Sequence, residues 1–455
     1  MKQCSIYHTA KEMVNDIFAG SGELDGRRLI GLHHKTLYAL KLFCLQMIFG
    51  ITMAKTTILS KITASISHVA SELPQTIYNR LLLHLGRIDL KGRLRNGLRK
   101  FLVPYVASAR LIIIDTTDVA KPNGRRFEAL GKVRDGSSKD KKLVKGYYLV
   151  LAAAVDNTNG VIPLDISLCA SGEKDFVSQN AIVTNIIDET YQLACGCATY
   201  LLDRGFDAFS FIRHFIQLNA PFILRVSQNR RYRVDGVSGT VSRHTAFKVA
   251  NDVRSVCVRI KLREGDRLIK RVVNARCVAV NLTTPVSSKL YLIEVKVNGE
   301  RGEPIYLLTN KDVRNLFVLE RSVKDYFLRW KIEELVRYYK QQFGLEGFRV
   351  RRLVRLKNLL SLLLLSALLV FVVGKRAAER NELASLLKLA HRVKKRELSY
   401  KFFMWYQLAD AVAVAFFAST RRLKKLFADL KKPPPHLRSN QLNLFETTYI
   451  SPLRI

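Results

Sequence analysis

Along residues 1–105 the apolar positions come in runs such as LYALKLFCLQMIFGI, separated by short polar turns, and this spacing predicts helices. Pro74 stands where a helix could start, followed by Asn79, Arg80 and His84 and by a basic run from Arg87 to Lys100. That pattern suits a helical module contacting DNA, and equally a solvated basic face. The period then changes. ARLIIIDTTD (109–118) is a short β-branched run ending in acid, and GYYLVLAAAVD and VIPLDISL are further strands on either side of a turn-like NTNG. EKDFVSQNAIVTNIIDETYQLA has helical spacing, CATYLLDRGFD is a strand running into acid, AFSFIRHFIQL is a helix, and PFILRV is another strand. Three antiparallel strands followed by alternating helix and strand predict a mixed α/β sheet.

Residues 227–304 differ again, being rich in Val, Arg and Thr with the turn signals DGVSG, REGD and NGERGE; they predict a β-rich insertion. PIYLLTN then resumes the α/β pattern, and YFLRWKIEELVRYYK (326–340), without Gly or Pro, reads as one charged helix. NLLSLLLLSALLVFVVGK (358–375) has no charge before Lys375. Its apolar core falls short of the ~18–20 residues of a bilayer span, so it reads as a helix buried in a large domain. The remainder is helical and basic, with a Pro run at KKPPPHL that stops the last helix before a flexible tail. The expected organisation is a helical region (1–105), a core in two parts (106–226 and 305–380) split by the insertion (227–304), and a basic helical C-terminal region (381–455).

Charge narrows the function. With 75 Lys+Arg against 38 Asp+Glu the net charge is +37 over 455 residues, which favours a polyanion partner through counterion release. Nucleic acid is the first reading and an anionic membrane the second, the latter through an anchor at 358–374. The 7 cysteines have no finger or ribbon spacing and fit a reducing cytoplasm; the close pair Cys195 and Cys197 reads as small buried residues beside a strand. The amino terminus lacks an apolar core followed by a cleavage site, so secretion is not indicated.

Three acids stand out by position. Asp115 ends the strand LIIID, Asp203 ends TYLLD, and Glu333 or Glu334 lies on the charged helix. Singly, each reads as a turn, cap or surface-pair residue. Together they fit a site, because parallel strands of an α/β sheet place their carboxyl ends at one edge and a helix crossing it can add a third carboxylate. Three oxygen donors suit Mg²⁺ or Mn²⁺, and two such ions about 4 Å apart can drive phosphoryl transfer. At about 100° per residue, Tyr326, Arg329, Glu333 and Lys340 share an arc of about 60°, with Glu334 about 80° beyond its edge. This prefers Glu333, although an i,i+4 pair with Arg337 remains open.

The chain resembles the DDE transposases of bacterial insertion sequences, in the insertion-sequence-four branch. That branch has Tyr, two residues, Arg, three residues, Glu, six residues, Lys, and Tyr326, Arg329, Glu333 and Lys340 match every spacing. RWKIEE, IDTTD around Asp115 and LDRGFD around Asp203 are similar to its wording, over residues 105–350. The resemblance implies a ribonuclease-H-like core with Asp115, Asp203 and Glu333 as catalytic metal ligands for Mg²⁺, with Mn²⁺ able to substitute. Tyr326, Arg329 and Lys340 would contact the transposon-end strand. Cleavage at element ends would precede attack of the freed 3′-hydroxyl on target DNA, by a homodimer pairing two ends in the cytoplasm, without a membrane. Asp118 is a rival to Asp115. Some relatives form a hairpin and hold a flipped base on an aromatic of the insertion. Here Trp330 and Trp405 lie outside it, so Tyr232, Phe247 or Tyr291 would substitute and the hairpin step stays open. A catalytically silent relative acting as a repressor is the alternative.

Overall fold

The computed structural model describes residues 4–21, 34–70, 72–87, 89–134, 142–157, 160–264, 267–284, 288–297, 303–393, 405–418 and 424. Among the described residues the first five elements are helices, α1 (Cys4–Gly20), α2 (His34–Ala54), α3 (Leu59–Ala70), α4 (Pro74–Arg87) and α5 (Leu90–Val106). Pro74 does open α4, where its missing N–H leaves no bond unmade. Asp89 caps α5 by accepting from the Gly92 N–H at 3.1 Å.

The sheet begins with β1 (Leu111–Ala120), β2 (Gly131–Arg134), β3 (Leu143–Val155) and β4 (Val161–Cys169). β3 pairs antiparallel with β1 on one edge and with β4 and β2 on the other. There follow α6 (Gln179–Leu193), β5 (Thr199–Leu202), α7 (Phe209–Gln217) and β6 (Phe222–Arg225), with β1, β5 and β6 parallel. A run of three antiparallel strands and then parallel ones is what the change from hairpin turns to intervening helices dictates. This is a mixed α/β fold.

The β-rich stretch contains β7 (Arg231–Arg233), β8 (Val241–Ser242), α8 (Arg243–Val249), β9 (Arg254–Glu264), β10 (Arg267–Leu282) and β11 (Leu290–Val297). It does not stand apart as a sheet of its own. β12 (Ile305–Thr309) lies antiparallel to both β6 and β11, so one twelve-stranded sheet continues from the parallel strands into the stretch. Return by a short connection forces this antiparallel pairing, where a parallel strand would need a crossover. The chain ends its described course in α9 (Leu316–Tyr326), α10 (Trp330–Gln342), α11 (Leu353–Glu379), α12 (Leu383–Val393) and α13 (Trp405–Ala418). The Pro run and the tail after it lie outside the described residues.

Two sequence expectations change. YFLRWKIEELVRYYK is not one helix: α9 ends at Tyr326, and the N–H groups of Leu328, Arg329, Lys331 and Ile332 each reach back three residues. That tighter winding turns the chain faster than an α-helix and offsets the faces on either side of the break. Cys195 and Cys197 are exposed, because the chain leaves α6 through left-handed residues at Cys195 and Gly196 and turns outward before β5.

α11 carries buried side chains all round, from Leu356 to Val373, against α2, α4, β4 and α13. By length and composition α2 and α11 could each cross a bilayer; here 72% and 83% of their apolar windows are buried within the protein. Each fully buried Leu or Val contributes about 1.5–3 kcal/mol. The one amide among them joins two other helices to α11. Asn358 accepts from the Leu90 N–H at 2.8 Å and donates to the Leu85 carbonyl at 2.9 Å, satisfying the loose ends of α5 and α4. Asn358→Leu strands both groups and is expected to lower stability by about 2–4 kcal/mol, read as a lower urea midpoint at unchanged m-value.

Candidate active site

Register brings two of the acids together. β1 and β5 are paired as far as Ile113 and Leu201, and Asp115 and Asp203 each follow two residues later, so they stand level on the same face at the carboxyl end of the parallel pair. Asp203 directly follows β5 with extended angles (φ −87°, ψ 173°). Asp115 does not end its strand as expected. β1 runs on to Ala120 because β3 continues to pair with it, Asp115 opposite Leu151 and Ala120 opposite Gly146. That unbroken ladder sends the Asp118 side chain to the other face of the sheet, which separates it from Asp115.

The third acid arrives through an arginine. Arg329, in the turn between α9 and α10, donates from Nη1 to Asp115 Oδ2 at 3.0 Å and from Nη2 to Glu333 Oε1 at 2.5 Å. Glu333 is half exposed beside these groups, whereas Glu334 is buried and pairs with Arg337 at 3.2 Å. Arg337 is thus the partner of Glu334, and the Glu333–Arg337 pair that the spacing left open is not the one formed. Tyr326 is buried next to Asp203; burial, and then the Asp203 charge, push its hydroxyl up to about 12. A buried ion pair between Asp325 and Arg110, just before β1, ties the end of α9 to the strand that carries Asp115. Lys340 points elsewhere: its ammonium donates to the Asp118 carbonyl at 2.9 Å and meets Glu346 at 2.8 Å.

Arg225 was not singled out from the sequence, yet it belongs here. Leu202 pairs with Leu224, so the next residues, Asp203 and Arg225, are level, and Arg225 Nη1 stands 3.9 Å from Asp203 Oδ1. A cation ending PFILR, one strand along from an acid ending TYLLD, was the available signal.

The charge balance is tight. Burial opposes the charge on Arg329, but Asp203, Asp115 and Glu333 outweigh it and raise its pKa. Burial drives the Asp115 carboxyl up to about 6, against Arg329 and the Thr116 N–H, with Asp203 and Glu333 adding to the rise. Three carboxylates thus face one edge, with the planar fork of Arg329 holding two of them.

The comparison with known families settles the class. Residues 107–369 match the family model described as "Transposase DDE domain", more than half of the chain. The chain belongs to the DDE transposases. The match runs from just before β1 into α11 and encloses Asp115, Asp203 and Glu333. No curated protein matches the sequence.

DDE transposases generally use divalent metal ions, and the residues of this transposase bear on that requirement in two ways. Asp203 Oδ1 is buried and accepts no hydrogen bond, an acceptor with capacity for a cation. Against this, no three His, Cys, Asp or Glu among the described residues are gathered closely enough to hold an ion as they stand, because the Arg329 guanidinium spans Asp115 and Glu333. Carboxylate oxygens are the kind of donor a hard cation takes, and in this arrangement two of the three carboxylates are held by Arg329.

Other expectations fare differently. Tyr232, Phe247 and Tyr291 are 0%, 6% and 3% exposed, so none presents a ring to a flipped base; their strands and helix turn them into the core. Arg80 is bound to Glu72 and to Gln46, and His84 packs on Phe43 with ring centres 5.3 Å apart, which draws both away from a free DNA-facing surface.

The raised Asp115 pKa carries a sign. The folded state holds this proton more tightly than the unfolded chain, so its stabilising contribution is complete below the unfolded value and is lost as pH rises through about 6. In chelator, the stability of Asp115→Asn minus that of the parent is expected to grow by about 2–3 kcal/mol between about pH 4 and pH 7, in favour of Asn. Thermal melts across that range check it; a flat difference would remove the buried charge as the cause.

Proposed function

We propose that this transposase is of the insertion-sequence-four type, with a ribonuclease-H-like core, and that it cuts DNA at transposon ends and joins the freed 3′-hydroxyl to target DNA. The single observation behind this reading is the convergence of Asp115, Asp203 and Glu333 around Arg329 at the carboxyl edge of the parallel strands. The strand order β4-β3-β1-β5-β6, three antiparallel and two parallel, supports the ribonuclease-H-like reading. The silent repressor has nothing in its favour, since the acids are all present.

Asp115, Asp203 and Glu333 would hold Mg²⁺, with Mn²⁺ able to substitute, and such ions polarise the phosphate and lower the pKa of an attacking oxygen. The chain's own residues supply the rest. Arg329, once it leaves the carboxylates, presents a planar fork that grips a phosphate bidentately. Tyr326 stands beside Asp203 as a neutral hydroxyl donor, and Arg225 adds positive charge on the same rung. Lys340 holds the far part of β1 through the Asp118 carbonyl. The partners in this reading are the terminal inverted repeats and the target duplex, held by a homodimer in the cytoplasm.

The test uses duplexes ending in the inverted repeats that flank the gene, with Mg²⁺. Asp115→Asn, Asp203→Asn and Glu333→Gln are each expected to lose about 10³-fold or more in cleavage, as loss of several kcal/mol of charge stabilisation implies. Binding of the duplex should persist. Asp118→Asn, which keeps the carbonyl used by Lys340, should cut normally. Full activity in any of the first three would take that residue out of the site.

A further inference from the structure

Beyond Asp115, β1 continues to Ala120 and delivers the chain into residues 121–130, which are interlocked with the connection 343–352 between α10 and α11. The Lys121 ammonium donates to the carbonyls of Glu346 and of Phe348 (3.2 Å for the latter), and it lies 4.0 Å from the Phe348 ring centre. The Glu128 N–H donates to the Arg351 carbonyl at 3.0 Å, and the Glu128 carboxylate accepts from the Leu353 N–H at 2.7 Å, capping α11. Phe127 meets Phe348 edge-on at 5.8 Å, and the Tyr147 hydroxyl donates to the Glu128 carbonyl. These contacts make one stiff clasp from two loops.

The acids of the clasp are used within it. Glu128 caps α11 and Glu346 meets Lys340. The cations are not so used. Arg125, Arg126, Arg349, Arg351 and Arg352 are all exposed, and none has an ion-pair partner among the described acids. Five like charges fixed on a rigid surface repel one another, a cost that an anionic partner removes.

We propose that this clasp is a platform for the phosphate backbone of the DNA duplex running away from the acid site. The proposal rests on the transposase reading of that site and adds a second place where the duplex is held. Six residues of extended chain separate Asp115 from Lys121, about 20 Å at about 3.3 Å per residue. A duplex advances about 3.4 Å per base pair, so the platform meets the backbone about six base pairs from the reacting phosphate. Guanidinium forks match phosphate oxygens in pairs, and a preformed clasp loses little entropy on engagement.

The test measures binding of a fluorescent duplex of arbitrary sequence by anisotropy over a range of NaCl, with the full-length Asp115→Asn protein as parent. Adding Arg125→Ala, Arg349→Ala and Arg351→Ala should reduce the slope of log K against log salt by about 2.7, at about 0.9 per lost phosphate contact. Melting temperature should not fall, since all three side chains are exposed and their removal relieves like-charge repulsion. Removing three exposed cations elsewhere, by Lys61→Ala, Arg213→Ala and Lys289→Ala, should leave the slope as it was. An unchanged slope in the clasp variant, or an equal fall in the control, overturns the platform and leaves the transposase reading intact. A parent that binds no duplex overturns both.

Discussion

Carboxylates crowded at one sheet edge repel one another, and a positive charge has to stand among them. In this transposase that charge is Arg329, which bridges Asp115 and Glu333 with Asp203 alongside. Much of the surrounding structure serves this balance. The parallel register of β1 and β5 fixes two acids on one rung, and the tight turn at 327–329 sets the arginine between strand and helix. The residual strain is visible in Asp115, whose carboxyl is pushed up to about 6 by burial despite its arginine.

Stiffness is the second requirement, since charges held a few ångströms apart tolerate little drift. It comes from apolar bulk behind the site. α11 is buried on all sides, and its single interior amide, Asn358, ties α4 and α5 to it. The Asp325–Arg110 pair binds α9 to the root of β1 in the same way, by a charge that is costly to leave unpaired. On the far side, the clasp of residues 121–130 with 343–352 fixes the end of β1 and presents an outward face of arginine.

Much of this was legible in order along the chain. The β-branched runs ending in Asp115 and Asp203 gave the strands, and their parallel alignment follows from the helix between them. Periodicity separates Glu333 from Glu334 on the premise of one continuous helix, but the chain breaks after Tyr326; Glu333 stands beside Asp115 because Arg329 reaches both, and Glu334 pairs with Arg337. Arg225 was passed over because its place depends on the pairing of β5 with β6.

What the sequence determined by itself was local: periodicity, strand ends, the apolar helix, the excess of positive charge and the spacing of a familiar set of side chains. These follow from backbone preferences and from which residues can leave water. What only the tertiary structure decided was non-local: that β1 runs past Asp115, that Asp118 faces away, that the β-rich stretch joins the same sheet, and that Tyr232, Phe247 and Tyr291 are buried. Each of these depends on which strand lies alongside which. Pairing between distant segments is set by competition for hydrogen bonds and core volume across the whole molecule, and no single stretch of chain encodes it.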